Sequence, residues 1–388
     1  MSQSLEQIKK PSICFIHDWL IDMRGGEKVL EAMVKLFPEA PIYTLFFKKE
    51  NLSPTLQNHT IHATFLQYIP WISQFYRWLL PLFPIAIRSL DVRRFDVVIS
   101  SSHCVAKAVR IRKDALHLCY CNTPMRYLWE FSDEYLGSFP KFVRRLAGLY
   151  FNWLRQWDRK TSRCVTAFIA NSNNIARKIE RYYGRQASVI YPPVSIPKNP
   201  KSKGENFFLI VSALVPYKRV DLAIEAFNLL KKPLRIVGDG PLKTRLEKMV
   251  SDNHIVLEGW LTQEELLERY ANARALIFPG EEDFGIVPLE AQTFGKPVIA
   301  FGKGGATETV LAYNETNQTR SVSQSTGLFF YEQTPNALIQ QVEAFEQLQF
   351  DPAFIQTHAQ SFSLERFQEQ LADFLETFQI DAQLFSRI

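Results

Sequence analysis

At 388 residues, with 46% apolar and 22% charged side chains, the chain is too long for a lone small module and too apolar for a disordered tail, so two or three domains are expected. The net charge of +5 divides unevenly, into +12 on residues 1–195 and −7 on the remainder. An acidic surface, nucleic acid or anionic lipid, is therefore the expected partner of the first half only.

The first ten residues, MSQSLEQIKK, are polar and a strand pattern at ICFIHDWL follows at once, so no secretory leader is expected and the predicted compartment is the cytoplasm. A helix pattern in EKVLEAMVKLF and strand patterns in IYTLFF, DVVISS, HLCYC and AFIANS come next, with aromatic-rich insertions at 65–90 and 125–160. Residues 65–94 carry Phe65, Tyr68, Trp71, Phe75, Tyr76, Trp78 and Phe83 with Arg77, Arg88, Arg93 and Arg94 against Asp91 alone. Residues 141–163 carry seven Lys and Arg against Asp158, among Phe142, Tyr150, Phe151, Trp153 and Trp157. Rings among cations suit a surface lying on anionic lipid, whereas a folded insertion would bury the same rings in its own core. No recognition motif accompanies the charge, so nucleic acid fits less well. The most apolar run, Trp78–Ile87, contains Pro81 and Pro84 and has only ten residues, where a membrane-spanning helix takes about 20. The five cysteines form no CxxC pair and no zinc spacing, and are expected as reduced thiols in the core.

At Tyr191-Pro192-Pro193-Val194 and the polar run through Gly204 the apolar pattern stops, which marks a domain joint. From Asn206 strand patterns (FFLIVSAL, LRIVGD, HIVLEG, ALIFPG, PVIAF) alternate with helix patterns (VDLAIEAFNLL, PLKTRLEKMV, TQEELLERYANA), as in a parallel sheet covered on both faces. The last helix pattern repeats Leu364, Phe367, Leu371, Phe374 and Phe378 and needs a groove to lie in. The expected organisation is two α/β doubly wound domains, 1–195 and 196–360, and a final helix in 361–388. Parallel sheets bind ligands at the carboxyl ends of their strands, which places the expected site in a cleft between the domains.

Behind the strand ALIFPG stands Glu282-Asp283-Phe284-Gly285-Ile286-Val287-Pro288-Leu289-Glu290. Gly285 allows backbone to approach a ligand, and Pro288 suits the first turn of a helix whose free N–H groups favour a phosphate. On this reading Glu282 lies in the loop and Glu290 in the first turn, each serving a different part of one ligand. Glu290 is equally a residue that helix starts favour for their own sake.

This pair, VGDGPL at 237–242, PVIAF with GGATE behind it, and Gly25-Gly26-Glu27 after the first strand together resemble glycosyltransferase family 4. Gly-Gly-Glu-Lys, Ser-Ser-His at 101–103 and Asn-Thr-Pro-Met-Arg at 122–126 resemble in particular its bacterial exopolysaccharide and O-antigen branch, often described as mannosyltransferases. The resemblance implies two Rossmann-like domains of the GT-B type, a final helix packing back on the first domain, a nucleotide-sugar donor held mainly by the second domain, and retention at the anomeric carbon. It implies that Glu290 binds the ribose hydroxyls and Glu282 the donor sugar, while N–H groups of Phe284, Gly285, Ile286 and Val287 hold the diphosphate or the sugar. Lys218 would neutralise the diphosphate, His103 would stand near the donor sugar, and Gly25 with Gly26 would line the acceptor and phosphate side. His17, beside Asp18, is given no role. The base pocket is expected at backbone near Gly259, Trp260 and Leu261.

One position departs from the family. Ala213 stands where an arginine is common, and Arg219, where glycine is usual, or Arg126 is the candidate replacement. No Asp-x-Asp pair is present to hold a divalent ion, so cations and N–H dipoles are expected to stabilise the leaving diphosphate, with no metal and no cofactor. The expected activity is transfer of a hexose from UDP-glucose, narrowly ahead of GDP-mannose, to a growing lipid-linked saccharide. The expected setting is peripheral, on the inner face of the plasma membrane. The alternatives are a nucleotide-sugar hydrolase or epimerase, or a weakly catalytic binding protein.

Overall fold

The computed structural model describes residues 11–130, 141–196, 205–313 and 320–380, without the side chains of 141–143 and 146. The polar joint at 197–204, the Phe142 side chain and the last eight residues lie outside what is described.

Tertiary contacts divide the chain into Met1–Tyr191 with Phe367–Ile388, and Pro192–Arg366. The first unit is built on strands β1 (Ile13–His17), β2 (Ile42–Thr44), β3 (Ile61–Ala63), β4 (Val97–Ser102), β5 (Leu116–Cys121), β6 (Ala167–Ala170) and β7 (Ala187–Val189). They lie in the order β3-β2-β1-β4-β5-β6-β7, all parallel. All five residues of β1 and all six of β4 are buried, as strands covered on both faces must be.

The second unit holds β8 (Phe207–Val211), β9 (Leu234–Val237), β10 (Ile255–Gly259), β11 (Ala273–Phe278), β12 (Val298–Phe301) and β13 (Gly327–Phe330), parallel in the order β10-β9-β8-β11-β12-β13. Alternation along β8 sorts its side chains: Phe208 and Ile210 enter the core beneath one face, Phe207 and Leu209 the core beneath the other. In each sheet the strand order reverses once, at β1/β4 and at β8/β11, and a doubly wound sheet opens its ligand crevice at such a point.

The final helix, Leu364–Glu376, packs on the first unit. Phe367 meets Tyr120 edge-on with ring centroids 6.0 Å apart, and Gln368 donates to the Ala32 carbonyl at 3.2 Å. Its buried stripe is Phe367, Leu371 and Leu375 rather than the expected series through Phe374 and Phe378. The helix ends at Glu376, and those two rings pair with each other at 5.3 Å.

Four cysteines are buried as expected, and burial pushes the Cys119 thiol up to about 12; Cys164 is exposed, against the expectation. The aromatic insertion divides. Tyr76 and Phe83 pack with Trp19 and Phe46 in the core, while Tyr68, Trp71 and Trp78 are 86%, 76% and 72% exposed.

Candidate active site

In the first unit the site is assembled where β1 and β4 run side by side, His17 in register with Ser101. Asp18 follows β1 directly and is completely buried. Its Oδ2 accepts the backbone N–H groups of His103 and Cys104 at 2.7 and 2.8 Å, and its Oδ1 those of Val105 and Ala106 at 2.6 and 2.7 Å. Four donors from consecutive residues satisfy a charge that would otherwise be costly to bury, and they fix the chain where it leaves β4. The His103 side chain, 24% exposed, turns Nδ1 toward Asp18 Oδ2 at 3.4 Å and sets its ring edge-on to Trp19 at 4.4 Å. Burial lowers the His103 pKa, with the nearby Asp18 carboxylate opposing that shift, so the ring is neutral at pH 7.

His17, passed over in the sequence, is fully buried between His103, 5.7 Å away ring to ring, and Glu27, whose Oε1 is 3.7 Å from His17 Nε2. Neither His17 ring nitrogen has a hydrogen-bond partner among the described residues. Glu27 is the third residue of the helix Gly25–Val34, and its Oε2 accepts the Arg24 N–H at 3.2 Å. Burial pushes the Glu27 carboxyl up; the neighbouring His17 and His103 rings and the helix N–H groups more than offset this and hold it below its ordinary value. Gly25 and Gly26 open that helix, where first-turn N–H groups lack intrahelical partners. A methyl at Gly26 would meet His17 and Asn122 at 3.6 Å, an ordinary contact, so packing alone does not demand glycine there. Arg126 Nε lies 3.5 Å from Glu130 Oε2, and Lys178 holds the other Glu130 oxygen at 2.5 Å.

In the second unit the loops after β8 and β11 meet. Lys218 pairs with Glu282, their side chains 14% and 20% exposed. Gly305 donates to the Glu282 carbonyl at 2.8 Å, and a methyl at Gly305 would sit 2.2 Å from the Phe284 Cα, so glycine there lets GGATE press against the loop. Gly285, at φ +95°, turns the chain into the helix Ile286–Thr293, whose positive end carries the N–H groups of Ile286 and Val287. Phe284 is buried against Phe362 at 6.1 Å. Glu290 is the fifth residue of this helix and so lies in its second turn, not the first: the chain becomes helical at Ile286, and Pro288 is already the third residue. Its Oε2 accepts from the Tyr270 hydroxyl at 2.8 Å.

Arg219 has φ +51°, the left-handed region that explains the usual glycine, and its Nε pairs with Asp221 at 3.2 Å. Ala213 is exposed and accepts the Val215 N–H at 2.9 Å. The base-pocket candidates lie at the end of β10, the edge strand, two strand spacings or roughly 10 Å from β8. Gly259 has φ +74°, Trp260 is 82% exposed, and Leu261 packs on the core.

The structure thus brings Lys218 to Glu282 and engages Arg219 and Arg126 with nearby carboxylates. Asp18, His17 and Glu27 join the candidate residues of the first unit, and Tyr270 those of the second. A carboxylate directly behind a buried strand was the available signal for Asp18; nothing in the spacing connects Tyr270 with Glu290.

Residues 23–197 match the family model Glycosyltransferase Family 4, and residues 193–360 the model Glycosyl transferases group 1. The chain is 38% identical over 118 residues to the GDP-mannose-dependent alpha-(1-6)-phosphatidylinositol monomannoside mannosyltransferase of Mycolicibacterium smegmatis, covering 26% of this chain and 31% of that protein. It is 25% identical over 410 residues to the alpha-1,3/1,6-mannosyltransferase ALG2 of Debaryomyces hansenii, covering 87% and 82%. Four further matches span 43%, 61%, 30% and 52% of the relatives concerned. The fold is that of Anabaena HepE, crystallised with UDP, at TM-score 0.66 and 15% identity over 94% of this chain and 100% of that one.

Proposed function

The chain belongs to glycosyltransferase family 4, with the two Rossmann-like domains of the GT-B type, and from this we propose that it transfers a hexose, with retention, from a nucleoside-diphosphate sugar to a lipid-linked saccharide. The observation that carries this reading is the Lys218–Glu282 pair in the loops that lead to the helix Ile286–Thr293. As the sugar–phosphate bond breaks, negative charge grows on the diphosphate. A lysine ammonium and preorganised N–H groups answer that charge, each such donor contributing about 3 to 4 kcal/mol in comparable sites. The donor displaces one partner from the other: Lys218 turns to the diphosphate and Glu282 to the sugar hydroxyls, while Glu290 takes the ribose. In the first domain His103, with Nδ1 turned to Asp18, offers Nε2 of a neutral ring to the donor sugar. Gly25 and Gly26 offer helix N–H groups to the acceptor side.

The sequence favours UDP-glucose narrowly as donor. The relatives whose names specify mannosyl transfer, one of them GDP-mannose-dependent at 38% identity, now turn the preference to GDP-mannose. The likeness to the UDP-bound neighbour supports the fold alone. The test is incubation of the purified protein with GDP-mannose and UDP-glucose, with and without a lipid-linked saccharide. Product that depends on acceptor is expected, and it should persist in excess EDTA. Free sugar or an epimer formed without acceptor would establish the hydrolase or epimerase instead, and binding without turnover a binding protein.

A further inference from the structure

Tyr270 is the eighth residue of the helix Gln263–Asn272 and is 1% exposed. Its ring stacks on Phe294 with centroids 5.7 Å apart and planes 20° from parallel, within a core that includes Phe207, Leu209 and Phe278. A ring so enclosed has no alternative rotamer of similar energy, so the position of its hydroxyl is set by packing. That hydroxyl donates to Glu290 Oε2 at 2.8 Å. Burial next to Glu290 and Glu282 pushes the phenol well above its ordinary range, which keeps it a donor throughout the working pH of a protein.

A glutamate side chain has three rotatable bonds, and ordering it only when ligand arrives would weaken binding. From the bond to one carboxylate oxygen we infer that Tyr270 is a positioning residue, which holds Glu290 ready for the two ribose hydroxyls and so sets a preference for ribonucleotides over deoxyribonucleotides. This inference rests on the reading of Glu290 as the ribose ligand. A tie between two helices with no role in recognition is the competing account, and the two differ in what happens to that preference.

The experiment is calorimetry with GDP and UDP and their 2′-deoxy and 3′-deoxy counterparts, on wild type, Tyr270→Phe and Glu290→Ala. Phenylalanine keeps the ring packing and removes only the hydroxyl. Tyr270→Phe should weaken ribonucleotide binding by about fivefold, one net hydrogen bond, and weaken binding of each deoxynucleotide, which keeps a single hydroxyl for Glu290, by clearly less. Its kcat at saturating donor should match wild type while KM rises. Equal weakening of both nucleotide classes, or an unchanged ribose preference, would overturn the inference. If Glu290→Ala retains the full preference for ribose, the reading of Glu290 fails instead.

Discussion

Asp18 and His103 are joined twice: the Asp18 carboxylate accepts the backbone N–H of His103 at 2.7 Å and stands 3.4 Å from its ring Nδ1. One buried charge thus sets both the main chain and the ring orientation of the residue proposed to meet the donor sugar. The other three N–H groups it accepts, from Cys104, Val105 and Ala106, extend its hold along the whole turn. Asp18→Asn would remove the charge and point an amide group at donors. It is expected to lower stability by roughly 3 kcal/mol and to reduce turnover as His103 loses its orientation. His103→Ala should reduce turnover with under about 1 kcal/mol of destabilisation, because the Asp18 backbone bonds remain. Denaturant melts beside initial rates separate the two. Full activity in a folded His103→Ala protein would remove His103 from the site.

The pairing of Lys218 with Glu282 makes each a competitor for the other's proposed ligand. Glu282→Gln should therefore cut turnover by about a hundredfold, through lost contact with the sugar. The same change frees Lys218 and should tighten binding of free nucleoside diphosphate by about fivefold, equivalent to a partly exposed ion pair worth near 1 kcal/mol. Lys218→Ala should lose both turnover and nucleotide affinity. Loss of GDP and UDP binding in Glu282→Gln would show that Glu282 does not serve the sugar.

His117 supplies part of the pH dependence of stability, beside His103 and His358, whose pKa values burial lowers in the same direction. It is fully buried in β5, with Ser100 Oγ 2.9 Å from its Nε2, and burial, assisted by the charge of Lys107, lowers its pKa to about 4. The unfolded chain binds this proton from near pH 6.5 downward and the folded chain does not until pH 4, so stability falls as pH drops through that window. The loss should reach about 3 kcal/mol on the scale of 1.36 kcal/mol per pH unit. It precedes the acid loss due to Asp96, whose pKa is lowered to about 2 chiefly by hydrogen bonds from Ser12, so that its contribution is lost as pH falls from the ordinary 3.8 toward 2. Urea melts between pH 7 and 4 on wild type and His117→Gln measure it. An equally steep slope in the variant would place the titration elsewhere.

The fold was legible because buried parallel strands leave uninterrupted apolar runs such as ICFI and VVI, and because helices between them carry their own start signals, as in Thr262 with Glu265. The Glu282 loop was legible from its place behind a strand, and Lys218 only through the family resemblance. Pairing across space was not. The hold of Asp18 on residue 103 spans 85 positions, and Tyr270 reaches Glu290 from a different helix. Glu290 was placed a turn too early because the proline suggested a helix start that the left-handed Gly285 had already made. The last helix was misread at its end for a related reason: periodicity continues through Phe378, while the backbone stops at Glu376.

The exposed rings of the first unit lead to the prediction of where it docks. Tyr68, Trp71, Trp78 and Ile85 are 86%, 76%, 72% and 64% exposed within a stretch whose Arg77 and Arg88 are also exposed. Arg144 and Arg145 add exposed cations on the helix Lys141–Ser162. Among the described residues no helix is long and apolar enough to cross a membrane. Rings of this size enter the headgroup boundary, and each nearby Lys or Arg contributes about 1 kcal/mol on an anionic leaflet. The electrostatic part fades as salt shortens the screening length from roughly 10 Å at 0.1 M to 3 Å at 1 M. The protein should therefore float with phosphatidylglycerol-containing vesicles at low salt, leave them at high salt, and ignore pure phosphatidylcholine. Changing Arg77, Arg88, Arg144 and Arg145 to Glu should abolish flotation. Trp71→Ser with Trp78→Ser should weaken it at low salt and move its loss to a lower salt concentration, since the apolar part is removed while the electrostatic part stays. If the wild type stays with the soluble fraction on anionic vesicles at low salt, docking through this face is wrong, and its rings serve a contact other than lipid.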